Sequence, residues 1–161
     1  MNEGTIESLR EQLKRAPSPR LYSQLAEELR LADRTGESIA VLREGAERFP
    51  RYLSARVALG RALLGSGSHA ECAETMRGVL AEDPENVVAI RTLAQAYEAL
   101  GDKVEAIKKY KLLRIFVPDD EDLQARIAVI DLELNPPITP RERLLGRLRG
   151  LLGKMERARS L

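Results

Sequence analysis

The sequence predicts an all-α fold, a solenoid of stacked helical repeats, and three observations carry that prediction. The first is a period. Pro50, Pro84 and Pro118 stand 34 residues apart, and the same step joins Leu25, Leu59, Leu93 and Ile127. It also joins Ala26, Gly60, Ala94 and Ala128, then Leu29, Leu63 and Tyr97, then Ser38, Cys72 and Ala106, then Leu42, Met76 and Tyr110. In-register columns at a step of roughly 20 to 50 residues are the mark of a repeat array. The second observation is composition: Ala, Leu, Glu and Arg abound, there is no Trp, and aromatic residues make up only 4%. Strands draw on β-branched and aromatic side chains, so this mixture favours helix. The third is punctuation: Pro50, Gly65-Ser66-Gly67-Ser68, Pro84, Gly101-Asp102 and Pro118 fall where one predicted helix gives way to the next.

Taken in order, residues 5–15 form a short helix, with Ile6, Leu9 and Leu13 at spacings of three and four. Ser18-Pro19 starts the next, a serine N-cap followed by proline at the first helical position. Leu21, Tyr22, Leu25 and Leu29 give that helix, 19–32, one apolar stripe. A turn is expected at Asp33-Arg34-Thr35-Gly36, then a helix to about Phe49, where Pro50 stops it. The second copy reads as helices 53–65 and 69–82 around Gly65-Ser66-Gly67-Ser68, and the third as 87–100 and 103–116 around Gly101-Asp102. The acidic run Asp119 to Asp122 then opens a helix over 120–134, where the macrodipole favours negative charge. Asn135-Pro136-Pro137 ends it, because a residue before proline is pushed out of the α region.

The columns resemble those of the tetratricopeptide repeat (TPR) family, a helix-turn-helix unit with alternating large and small positions and a closing proline. The third copy carries the match in Ile90, Leu93, Ala94, Tyr97, Ala106, Tyr110 and Pro118, with Leu113 where the family has a small residue. In the second, Arg56 stands at a large apolar position and Val79 at a small one. The resemblance covers roughly residues 5–134 and implies a right-handed solenoid of about three units plus terminal helices. The expected organisation is a half-repeat over 1–17, the solenoid over 18–134, a proline-rich linker over 135–139 and a C-terminal helix over 140–161.

Chemistry is sparse. Gly65-Ser66-Gly67-Ser68-His69 lacks the Lys-Ser/Thr of a phosphate loop and reads as a plain turn, with His69 a surface residue. Cys72, the only cysteine, sits in a column of small packed residues and reads as a buried structural thiol. The 119–122 acidic run lacks the spacing and glycine of a calcium loop. No nucleophile, base and oxyanion donor assemble, so no enzyme, metal or cofactor is expected. The N-terminus has no signal-peptide pattern and no stretch of about 18 apolar residues exists, which makes the cytoplasm the expected place.

The resemblance implies a concave protein-binding groove lined by the first helix of each unit. Its expected residues are Arg20, Gln24, Glu27, Arg30, Val57, Arg61, Leu64, Arg91, Gln95, Glu98, Arg126 and Val129. The family's carboxylate clamp for chaperone tails needs Lys and Asn at set places that here hold Ser23, Glu27, Ala58, Val88 and Thr92. Arginines among acids, amides and patches of Val and Leu suit a mixed ligand, such as an amphipathic helix or an extended segment. The expected role is a non-catalytic scaffold or adaptor with a protein partner.

The tail departs from a bare array. Thr139-Pro140-Arg141-Glu142 reads as a capping box, after which Leu144, Leu145, Leu148, Leu151, Leu152 and Met155 share one helical face. Gly146, Gly150 and Gly153 lie opposite and weaken the helix, which suggests that it needs docking. Residues 141–161 hold seven basic and two acidic side chains, a local +5, against 19 basic and 23 acidic over 1–140, a net −4. Three dockings stay open: a cap on the 120–134 helix, a concave groove or other protein surface (homo-oligomers included), and an anionic membrane surface. The last makes a peripheral membrane-assembly factor the alternative role, although the tail offers no Trp or Phe for deep insertion. Nucleic acid is disfavoured, because the basic residues are confined to one helix without aromatic stacking partners.

Overall fold

The computed structural model describes residues 3–159; the ends of the two outer predicted segments, 1–2 and 160–161, lie outside that range. The elements are α1 (Glu3–Arg15), α2 (Pro19–Leu31), α3 (Thr35–Arg48), α4 (Leu53–Gly65), α5 (His69–Glu82), α6 (Val87–Ala99), α7 (Lys103–Phe116), α8 (Glu121–Leu134) and α9 (Pro140–Arg159). Local chemistry starts several of them. Ser18 accepts the Leu21 N–H at 3.4 Å, Asn86 that of Ala89 at 3.0 Å, and Asp120 that of Leu123 at 2.9 Å. Each satisfies one of the orphan donors of a first helical turn. At α9 the capping box is reciprocal: Glu142 N–H donates to Thr139 Oγ1 at 3.2 Å, and Thr139 N–H to Glu142 Oε2 at 2.9 Å.

One boundary corrects the expectation. Thr35 and Gly36 belong to the first turn of α3 and not to the turn before it. The chain has already reversed, because Asp33 takes a left-handed φ of 60°. The next two hairpins put Gly67 (φ 82°) and Gly101 (φ 81°) in the same column. In each case the following N–H reaches back to close the helix end: Arg34 to Leu29 O, Ser68 to Leu63 O and Asp102 to Tyr97 O, all 2.9 Å. This is the Schellman closure. The fourth place in that column holds Asn135, and the fourth place in the next, after Arg34, Ser68 and Asp102, holds Pro136. Pro136 has no N–H to donate and disfavours helical conformation at Asn135, which is non-helical at φ −129°, ψ 69°. Thus α8 leaves as α3, α5 and α7 do, through a non-helical residue before a proline, and the hairpin to α9 does not close.

The helices α2, α4, α6 and α8 form one layer and α1, α3, α5 and α7 the other, each helix packing on its chain neighbours. The core is continuous across repeats. A central cluster draws Ala26, Leu42, Leu59, Leu63, Cys72, Met76, Val79 and Leu93 from α2 through α6. Ile6, Leu9, Leu25 and Leu29 seal one end, and Ile90, Ala94, Ala106, Tyr110, Leu123, Ile127 and Ile130 the other. Close approach depends on small residues. A Cβ on Gly45 would stand 2.8 Å from both Cβ and Cγ of Tyr22, atoms anchored near the backbone, whereas one on Gly36 would meet nothing. Gly45→Ala should therefore destabilise the fold by about 1–2 kcal/mol, overpacking outweighing the helix-propensity gain, while Gly36→Ala should stabilise it by about 0.5 kcal/mol. Paired urea-unfolding curves of the two variants check the opposite signs. Arg56, odd by the family pattern, lays its guanidinium over Gly78, 3.8 Å from where a Cβ would be, and bonds Glu82 at 2.5 Å.

The tail helix α9 packs against none of α1–α8 among the described residues. Its capping box supplies the helix start, and no docking on its own chain accompanies it. The cap over α8 within one chain is therefore not adopted.

Candidate functional site: the concave face

The first helices of the repeats present three successive cavities. The first, about 410 Å³, lies between α1 and α2, with Thr5, Leu9, Arg20, Gln24 and Glu28 in its walls. It shares Ser23 and Glu27 with the second, about 500 Å³, whose floor is Ala26, Leu42, Ala58 and Ala62 and whose rim is Arg30 and Arg61. The third, about 640 Å³, lies between α4, α6 and α8 and is lined by Leu64, Arg91, Gln95, Glu98, Tyr110, Asp122 and Arg126 among others. Ten of the twelve groove residues expected from the sequence line these cavities. Val57 is half-buried against the central cluster, and Val129 is exposed on α8 outside all three.

Some of the charge is already committed. Arg30 grips Glu27 with two hydrogen bonds, 2.9 and 2.7 Å, which hold the Glu27 carboxyl below its usual range. Arg91 reaches Asp120 at 2.7 Å and likewise holds that carboxyl down. Glu98 takes the Arg126 guanidinium on both oxygens and accepts the Tyr110 hydroxyl at 2.9 Å, tying α6, α7 and α8 together. Burial, and then this bond to Glu98, push the Tyr110 phenol well above its ordinary range. Sequence reasoning read Tyr110 only as a packing residue. The available signal was a hydroxyl at a column otherwise filled by Leu42 and Met76.

Other groups stay available. Arg20 and Arg61 enter no ion pair among the described residues, and no side-chain hydrogen bond engages Gln24 or Gln95. The face therefore offers two arginines and two amides over a floor of alanine and leucine, a set that binds carboxylates and peptide groups. His69 is the first residue of α5 and half-buried, with Nδ1 enclosed and without a hydrogen-bond partner among the described residues. Cys72 is fully buried, and burial pushes its thiol up to about 11. Among the described residues no cluster of three or more His, Cys, Asp or Glu could hold a metal ion.

Residues 63–130 match the family model described as tetratricopeptide repeat. Residues 63–130 carry tetratricopeptide repeats. No curated protein sequence matches it. Among solved structures, the TPR fold superposes on MamA from Desulfovibrio magneticus RS-1 with a TM-score of 0.75 at 15% identity, over 97% of this chain and 86% of that one. The first TPR domain of human RPAP3 gives 0.65 at 16% identity, over 72% and 91%. A thermophilic TPR protein of Thermus thermophilus gives 0.62 at 22% identity, over 81% and 73%. At these identities the likeness is one of fold, and the matched residues run from the end of α4 into α8.

Proposed function

We propose that this protein is a non-catalytic adaptor that holds a protein segment along the face made by α2, α4, α6 and α8. The observation that carries the reading is the run of three cavities in which Arg61 and Arg20 remain unpaired beside the free amides of Gln24 and Gln95. A segment there would set a carboxylate on Arg61, its backbone against the amides and small apolar side chains over Ala58, Ala62 and Leu64. A lone buried thiol suits a reducing compartment, and the cytoplasm is the proposed setting.

The test uses peptides selected by display against the full protein. Arg61→Glu should weaken their binding roughly tenfold or more, because it removes a cation and adds a like charge facing the ligand. Arg77→Glu, on an exposed position of α5, should leave binding unchanged. Equal effects of the two variants would contradict the groove. The alternative role, attachment to an anionic membrane, rests on the uncovered leucine stripe of α9. None of the described helices is long and apolar enough to cross a membrane.

A further inference from the structure

Two apolar faces of this chain are left uncovered. On α8, Ala125, Ala128, Val129 and Leu132 fall on one side, opposite the Leu123, Ile127 and Ile130 that are buried toward α7, and all four are exposed. On α9, Leu144, Leu145, Leu148, Leu151, Leu152 and Met155 are 44–67% exposed. Their charges are complementary. Asp119, Glu121 and Asp122 lie at the start of α8, exposed and outside every ion pair among the described residues. On α9, Arg141 falls on the side of the stripe and Arg147 and Arg149 flank it, and these three likewise enter none.

We propose that the two faces cover each other between two copies of the chain, α9 of each lying on α8 of the other. Three alternatives are weaker on the same observations. In the concave groove Glu27 and Glu98 are already engaged by Arg30 and Arg126 while Arg20 and Arg61 enter no ion pair among the described residues, so it offers a basic helix less than the start of α8 does. Two α9 helices pairing with each other would bring together two segments of net +5. Return onto the same chain's α8 lacks the tight turn of the other hairpins. Pro136 has no N–H to close it, Asn135 is non-helical with a negative φ, and the linker 135–139, longer than the three-residue turns, holds two prolines. An amphipathic helix held out by a stiff linker meets a second molecule at little entropic cost, and a symmetric pair buries both faces twice. Apart from Asp122, which also lines the third cavity, this surface lies outside the groove proposed above, and with Asp122 left unchanged either assignment can fail alone.

The test uses the full chain. Sedimentation should show a dimer that dissociates on dilution, weakens roughly tenfold with Asp119→Lys and Glu121→Lys together, and becomes monomeric with Leu148→Asp. These positions are exposed, so circular dichroism should be unchanged. Mixing a Leu132→Cys chain with a Leu148→Cys chain should then give the mixed disulfide in preference to either homodimer; Cys72 is buried and stays out of the exchange. A Leu148→Cys homodimer as main product would overturn the assignment in favour of α9–α9 pairing. An intrachain disulfide in the double variant without cross-chain product would overturn it in favour of return to the same α8. A monomer at every concentration would overturn it too, and co-sedimentation of that monomer with vesicles containing phosphatidylserine would give the stripe to the membrane.

Discussion

Met76→Ala is expected to lower stability by about 3 kcal/mol, the largest loss foreseen for a single substitution in this chain. Met76 is fully buried at the centre of the middle cluster, and its partner across the α4–α5 interface is Gly60, which has no side chain to move into a void. A Cβ on Gly60 would lie 2.3 Å from Met76 Cε and 3.1 Å from its Sδ. The pair is therefore coupled with a predictable sign. Gly60→Ala alone should cost about 1 kcal/mol, since the methionine must repack. In the Met76→Ala background the same change should stabilise by about 1 kcal/mol, because the methyl enters vacated space and alanine favours helix over glycine. Urea unfolding of the four proteins in the cycle checks this. The central cluster also joins α2–α3 to α6–α7, and in a repeat array the weakest junction sets cooperativity. Met76→Ala should accordingly lower the slope of the transition as well as its midpoint.

The second large effect concerns the thiol. Burial pushes Cys72 from its ordinary 9.0 up to about 11, so at neutral pH its thiolate fraction is roughly 100-fold below that of a free cysteine. A thiol–disulfide exchange reagent at about pH 7.5 should therefore react at least about 100-fold more slowly with the folded chain than with the chain in urea. The same burial makes stability depend on alkaline pH. The folded state holds its proton to higher pH than the unfolded state. Stability is thus unaffected by this group below about pH 9 and falls between about 9 and 11, by at most about 1.4 kcal/mol per pH unit. Tyr110, also raised, adds a loss of the same sign at higher pH. Cys72→Ala should remove the thiol's share of that slope, which unfolding curves across about pH 8–11 would show.

Much of the fold was legible because its determinants are local and repeated. Ser18-Pro19 and Thr139 to Glu142 each announce a helix start within four residues, and both start helices as read. The 34-residue columns placed Leu59, Leu93 and Ile127 in the core, where they are. Ala128 shows the limit of a column: Ala26, Gly60 and Ala94 are buried against a second helix that the fourth copy does not dock, so Ala128 is exposed. Gly36 misled because glycine marks turns, whereas the reversal was made by Asp33. The Tyr110, Glu98 and Arg126 contact joins residues 12 and 28 positions apart on three helices, and no spacing rule addresses it. The stance of α9 is a different case. Its signal, Pro136 in the column of Arg34, Ser68 and Asp102, stood in the sequence and gains meaning only once those three residues are seen to close hairpins through their N–H groups.

The most direct test of the adaptor reading is an amide and methyl NMR titration of the full chain with a display-selected peptide. The account predicts shift changes concentrated on α2, α4 and α6, at Gln24, Ala58, Arg61 and Gln95, with α5 and the outer side of α7 unmoved. Shifts confined to α9, or to the outward faces of α3, α5 and α7, would contradict it.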